Sequence, residues 1–346
     1  MLPNVSLVDS TDALHYNPFD WSRSYLTTVA LEDGTISFNI WRNMGTDYIT
    51  SISYSTDGGE TWTTTQNQNN KSENLVIDVD VNEGDKVLWK GDAKQTGFYD
   101  YDEEVDEPVG SFFSSTAEFD VKGNVMSLLY GDDFFGEVEL EYDYQFIYLF
   151  YDYYGEKECL VVNAGNLSLP ATALTSYCYD SMFQGCTALT TVPELPATAL
   201  TNSCYSGMFA GCTSITRAPE LHATTLANYC YQYMFNGCTS LTTAPSVLPA
   251  ATLAIYCYYY MFQGCTSITK APELPATALT NSCYSGMFAG CTSLNYIKCL
   301  ATDISASNCT NNWVYNVAST GTFVKAPSMT SWTTGINGIP TNWTVQ

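Results

Sequence analysis

Apolar and polar positions recur with a fixed period through the second half of the chain. The core M-F-x-G-C begins at Met182, Met208, Met234, Met261 and Met287, at spacings of 26, 26, 27 and 26 residues. A cysteine precedes each core by four residues (Cys178, Cys204, Cys230, Cys257, Cys283), and each unit reads approximately LPATALTxxCYxxMFxGCTSLTxAPE. Leu174, Cys178 and Met182 fall at i, i+4 and i+8, with Phe183 beside them, which predicts a short helix of two or three turns with one apolar face. Gly185 is then expected as its left-handed C-terminal cap. The following CTALTTVPELP predicts a brief extended segment with Leu189 facing inward, too rich in proline for a long central strand. One such unit cannot bury its apolar face, whereas stacked units can, so a solenoid with a nearest-neighbour core is expected.

The first half carries a different pattern. YLTTVAL, TISFNIW, ITSISYS, LVIDVDV and KVLWKG are rich in β-formers, partly alternate, and are separated by Asp-Gly, Gly-Gly and Glu-Gly turns. FFSSTAEFDVKGNVMSLLYG predicts two further strands, for roughly eight in all, and an antiparallel sandwich. The expected fold class is therefore a mainly β N-terminal sandwich followed by an α/β leucine-rich-repeat solenoid with short helices and short strands. Its parts are an N-terminal arm or anchor (1–23), an acidic sandwich (24–140), a cap repeat (141–167), five repeats (168–299), and a degenerate sixth repeat with a C-terminal cap (300–346). Leu300, Cys309, Trp313 and Val314 repeat Leu274, Cys283, Met287 and Phe288, and Trp332 and Trp343 are expected as lids.

Charge separates the same halves. Of 36 acidic and 12 basic side chains, residues 1–158 hold 31 and 8, so nearly all of the net charge of -24 lies there. Phosphate is repelled by such a surface, which argues against nucleic acid as a partner. No apolar run reaches the 18 residues of a membrane span, so no membrane insertion is expected. All 13 cysteines follow residue 158.

At MFQGCTAL, MFAGCTSI, MFNGCTSL, MFQGCTSI and MFAGCTSL the chain resembles the BspA-like (treponemal-type) leucine-rich repeats, over about 145–325. Methionine stands where that family usually has alanine, and LPATAL segments replace a longer strand. The resemblance implies a surface protein of Bacteroidales or of their phages, binding through the flank of its solenoid.

Several residues invite chemistry. The tyrosines after the first cysteine of each unit (Tyr179, Tyr205, Tyr231, Tyr258, Tyr284), in a region enriched by Tyr177, Tyr229, Tyr233, Tyr256, Tyr259 and Tyr260, form a candidate column for a glycan or protein, with Tyr233 and Tyr260 added to the candidate set, against a structural reading as a packing ladder. Cys178, Cys204, Cys230, Cys257 and Cys283 form one expected structural column, and Cys186, Cys212, Cys238, Cys265 and Cys291 a second. Both are read as free buried ladders, with inter-unit disulfides as the alternative. Ser55-x-Asp57-x-Gly59-x-Thr61-Trp62 fits an Asp-box hairpin, with Asp57 and Trp62 structural. Asp100, Asp102, Glu103 and Asp106 read as a solvated acidic loop, or as a weak calcium site.

No hydrolase elbow, phosphate loop, dinucleotide fingerprint or metalloprotease motif occurs, and only His15 and His222 are available, so neither an enzyme nor a cofactor is expected. The expected function is non-enzymatic attachment or decoration on a phage virion surface, as a head or tail fibre-type component. It would dock on other virion proteins through the N-terminal region, with homo-oligomerisation open. The alternative is a secreted or cell-surface bacterial adhesin for host protein or glycan. The expected absence of a signal peptide and of an early lipidation cysteine separates the two.

Overall fold

A computed structural model describes residues 20–40, 51–66, 75–93, 99–102, 107–330 and 332–346. It is mostly β, with few helical residues and several separate sheets, none closed into a barrel. In chain order the strands are β1 (Leu26–Ala30), β2 (Gly34–Ile40), β3 (Ser51–Ser55), β4 (Thr63–Gln66), β5 (Leu75–Val81), β6 (Lys86–Gly91), β7 (Tyr99–Asp102), β8 (Glu107–Gly110), β9 (Phe112–Ser115), β10 (Phe119–Asn124), β11 (Val161–Ser168), β12 (Tyr296–Cys299), β13 (Thr322–Lys325) and β14 (Thr344–Val345).

Two sheets organise the acidic half, in the orders β11-β10-β1-β6-β3-β4 and β5-β2-β9. The alternation in LVIDVDV sends Ile77, Val79 and Val81 into the core and the intervening residues out. Trp89 of the larger sheet packs on Phe38 and Phe113 of the smaller one, with ring centroids 6.2 and 5.2 Å apart. Its indole N–H is satisfied by Thr28 Oγ1 at 3.1 Å. The predicted strands of YLTTVAL, TISFNIW, ITSISYS, LVIDVDV and KVLWKG are all present. SLLY, expected within a strand, is instead a single helical turn, α1 (Ser127–Tyr130).

Pairing at the edge of the larger sheet is parallel: β11 runs alongside β10, so residues of the expected cap repeat complete the N-terminal sheet. The core is accordingly continuous from Tyr25 to Trp343. Phe113 stacks on Phe150 at 5.4 Å, and Phe150 on Phe183 at 4.8 Å, which carries the aromatic core from the sheets into the repeats.

Each repeat donates backbone N–H groups to the next. Tyr177, Tyr179, Ser181, Phe183 and Gly185 bond the carbonyls of Asn202, Cys204, Ser206, Met208 and Ala210 at 2.8–3.0 Å. The residues between them bond within the unit: Asp180, Met182, Gln184 and Cys186 reach back three residues, to Tyr177, Tyr179, Ser181 and Phe183. An α-helix cannot do this, because every interior N–H is committed to the carbonyl four residues back. The predicted helix over Leu174–Phe183 is therefore replaced by a ribbon of consecutive turns. A positive φ recurs every fourth residue, at Tyr177, Ser181 and Gly185 in the first repeat. Gly185 does take the left-handed conformation, but as one of these turns and not as a helix cap.

That four-residue period buries two columns per turn. Cys178, Met182 and Cys186 form one, and Tyr179 and Phe183 the other, all with 0–1% exposure. Leu189 also faces inward. The proline-rich segments contact their neighbours mostly through single parallel bridges such as Ala199 with Thr225, and only β12, β13 and β14 at the far end form a sheet. Residues 144–150 provide the first layer, with Phe146 stacked on Tyr179 at 5.6 Å. Trp313 receives both ladders at the other end, 6.2 Å from Tyr284 and 6.3 Å from Phe288. Trp332 stacks on Trp313 at 5.5 Å as expected of a lid, and Trp343 is buried with its indole N–H on the Ala318 carbonyl.

Candidate functional site

At the left-handed positions of the repeats the tyrosines are exposed or half-buried, whereas Ser181, Ser203 and Ser282 are buried. At the first two such positions in each unit the repeats carry Tyr177 and Ser181, Ser203 and Gly207, Tyr229 and Tyr233, Tyr256 and Tyr260, Ser282 and Gly286, and Asn308 and Asn312. Glycine and asparagine tolerate this backbone, whereas a bulky side chain there is strained. Units three and four nevertheless place four tyrosines in it, with φ between 52° and 60°.

These tyrosines and Tyr259 form one continuous surface ridge. Tyr229 stacks on Tyr256 at 4.9 Å and Tyr233 on Tyr260 at 5.7 Å, while Tyr259 meets Tyr233, Tyr256 and Tyr260 edge-on at 5.5, 5.1 and 4.4 Å. Tyr229 and Tyr233 are exposed, and the other three are half-buried. Glycine is required at 286 because the Tyr260 ring lies across it: a Cβ there would fall 2.3 Å from a ring carbon. Partial burial and the adjacent Tyr233 and Tyr260 hydroxyls push the Tyr259 hydroxyl up to about 12. Carboxamides border the ridge at Asn228, Gln232, Asn236 and Gln263, with Asn236 donating to Gln263 at 2.8 Å. Hydroxyls, amides and ring edges thus line an uncharged surface.

The expected tyrosine column behaves differently. Tyr179, Tyr205, Tyr231, Tyr258 and Tyr284 are 0–2% exposed and stack on one another at 5.7–6.0 Å, so they form a packing ladder and cannot touch a ligand. The Tyr179, Tyr205 and Tyr258 hydroxyls are buried without a hydrogen-bond partner. Tyr233 and Tyr260 alone of the expected binding set belong to the surface ridge. Sequence reasoning placed Tyr229, Tyr256 and Tyr259 in the same tyrosine-rich region but did not separate their surface from the buried column. The available signal was the spacing of four between Gly207 and Gly211, Gly286 and Gly290, and Asn308, Asn312 and Asn316, which marks a left-handed residue once per turn.

Both cysteine columns are buried and free. In the second, thiols reach back to a phenylalanine carbonyl of the preceding layer: Cys186 to Phe150, Cys212 to Phe183, Cys238 to Phe209, Cys265 to Phe235 and Cys291 to Phe262, at 2.9–3.3 Å. A small side chain that packs as a hydrophobe and still donates satisfies this position. Burial pushes these thiols up, to about 12 for Cys204 and Cys238 and about 11 for Cys283.

The Asp-box residues hold their hairpin turn. Ser55 Oγ donates to Asp57 Oδ1 at 2.7 Å and accepts from Gly59 N at 2.9 Å, and Asp57 also accepts the Thr61 N–H at 3.0 Å. Hydrogen bonds from Thr61 and Ser55 hold the Asp57 carboxyl well below its ordinary value. Trp62 packs edge-on to Tyr25 at 5.0 Å, with Lys90 Nζ 4.1 Å above its ring. β7 carries the backbone of Asp100 and Asp102, but the carboxylates of Asp100, Asp102, Glu103 and Asp106 lie outside the described residues, as do residues 1–19 of the N-terminal arm. Among the described residues no cluster of three or more His, Cys, Asp or Glu is placed to hold a metal ion, and no helix is long and apolar enough to cross a membrane. Compared with protein families, curated proteins and solved structures, the chain matches none of them.

Proposed function

We propose that the chain is a non-enzymatic attachment protein, in which an N-terminal β-sandwich carries a BspA-like leucine-rich-repeat solenoid and the tyrosine ridge of units three and four recognises a neutral glycan. The observation that carries this reading is the left-handed backbone at Tyr229, Tyr233, Tyr256 and Tyr260. Units two, five and six put serine, glycine or asparagine there, while Tyr144, Tyr148 and Tyr177 repeat the tyrosine choice at the other end, and strain of about 1–2 kcal/mol per residue is retained where a surface needs it. Ligand class follows from the chemistry of the ridge. Its hydroxyls, carboxamides and aromatic edges suit sugar hydroxyls and C–H groups, and the repeat half holds only 5 acidic and 4 basic side chains. The solenoid reading is supported by the unit-to-unit hydrogen bonds, and the sandwich reading by the shared Phe38, Trp89 and Phe113 core.

The carrier we propose is a phage particle, with the acidic half docking on other virion proteins; the resemblance to repeat proteins of Bacteroidales and their phages supports it. Glycan-array binding of the native chain is compared with a variant carrying Asn at Tyr229, Tyr233, Tyr256 and Tyr260. Loss of all array signal in a folded variant is expected, and unchanged binding removes the ridge as the site. Mass spectrometry of purified particles tests the location: the chain found only in bacterial surface fractions makes it an adhesin.

A further inference from the structure

Cys159 stands apart from the other twelve cysteines. It precedes β11, belongs to neither column, and is the one described cysteine that is half-exposed, the rest being buried. Beside it lies Cys186, the first member of the second thiol column. Cys186 holds its carbonyl partner at 3.3 Å, the longest such contact in the column, against 2.9–3.1 Å for the other four. Burial first, and then the neighbouring Cys159 thiol, push the Cys186 thiol up. Both sulfur residues line one cavity of about 200 Å³ between the expected cap and the first repeat, together with Tyr151, Asp152, Lys157 and Gln184. The Asp152 carboxylate shapes its rim by accepting the backbone N–H groups of Tyr154, Glu156 and Lys157 at 2.9–3.0 Å.

We propose that Cys159 and Cys186 are a redox-modifiable pair, oxidised to a disulfide by a small-molecule disulfide of the glutathione class that enters through this cavity. The Cys159 thiolate attacks one sulfur of the small disulfide, forming a mixed disulfide and releasing one thiolate, which takes up a proton. Cys186 then gives its proton to solvent and attacks the Cys159 sulfur, expelling the second small thiol. Two protein thiols are oxidised and one disulfide is reduced to two thiols. Exposure assigns the order, since a nucleophile must be reachable by the oxidant and Cys186 is 1% exposed. The bond joins a residue two positions before β11, an edge strand of the N-terminal sheet, to the first repeat. Closing that loop constrains the unfolded chain and stiffens the junction between the two halves.

The full chain is incubated with oxidised glutathione under native conditions, quenched in acid, and its free thiols are counted in denaturant. Thirteen thiols are expected to fall to eleven, with a Cys159–Cys186 cross-linked peptide in the digest and a higher melting temperature. Cys159→Ser, a change at a half-exposed position, is expected to keep all twelve of its remaining thiols. A count that stays at thirteen, a glutathione adduct on Cys159 that goes no further, or a link between any other pair overturns the proposal.

Discussion

Tyr231 and Tyr233 stand two residues apart in one repeat and meet opposite fates. Tyr231 lies in the ordinary turn backbone, 2% exposed, stacked between Tyr205 and Tyr258; Tyr233 lies in left-handed backbone, exposed, stacked on Tyr260. The same residue type therefore builds the buried ladder in one column and the exposed ridge in the next. What separates them is the direction in which a four-residue turn points each side chain. The buried ladder repeats in every unit because each layer must cover the last, whereas the surface ladder is confined to the units that give up a tolerant residue for it.

Alkaline pH should break the buried side first and most strongly. Burial raises the folded-state values of Cys204, Cys238 and Cys299 from 9.0 to about 12, and that of Cys283 to about 11. In the unfolded chain these thiols ionise near 9, so above that pH the unfolded state holds fewer protons and stability falls as pH rises. Circular dichroism from pH 8 to 12 should show cooperative unfolding that begins above pH 9. A transition independent of pH over that range would mean that the thiols are not buried in the fold. Phe235→Ala removes one rung of the ladder, and about 3–5 kcal/mol of stability should be lost in urea titration. Retention of most of that stability would show that the layers collapse around the gap.

Smaller effects sharpen the contrast. Tyr233→Asn loses the stack on Tyr260 and the edge-on pair with Tyr259, each worth about 0.5–1.5 kcal/mol, but relieves left-handed strain of about 1–2 kcal/mol, so its stability should stay within about 1 kcal/mol of the parent while glycan binding is lost. Destabilisation on the scale of Phe235→Ala would make Tyr233 a core residue. Tyr205→Phe, which removes a buried hydroxyl without a partner, should leave binding unchanged and stability equal or higher by up to about 1 kcal/mol. A marked loss would reveal a hydrogen bond to that hydroxyl.

Much of this was legible in the residues. The alternation in LVIDVDV located β5 and the β-forming run of KVLWKG located β6, and the Ser55, Asp57, Gly59, Thr61, Trp62 spacing described its turn. The helix in each repeat failed for a specific reason. A turn ribbon of period four and an α-helix of period 3.6 place i, i+4 and i+8 on one side alike, and over the three turns of a unit the patterns coincide. Gly and Asn at spacings of four discriminate between them, since a helix interior disfavours both. β11 was hidden because half of its residues face neither core nor partner in simple alternation, its burial following a bulged parallel register.

The sequence by itself determined the unit length, the register of the units and the residues that form their core, because an apolar column that repeats every 26 or 27 residues can be buried only by its own copies. Tertiary structure alone decided that the backbone would run as turns, and with it which tyrosines are buried and which are shown. A lone unit has no neighbour to receive its sideways N–H groups. Once the units stack, half of those donors bond across to the next layer, and the four-residue turn that this demands sets the direction of every side chain.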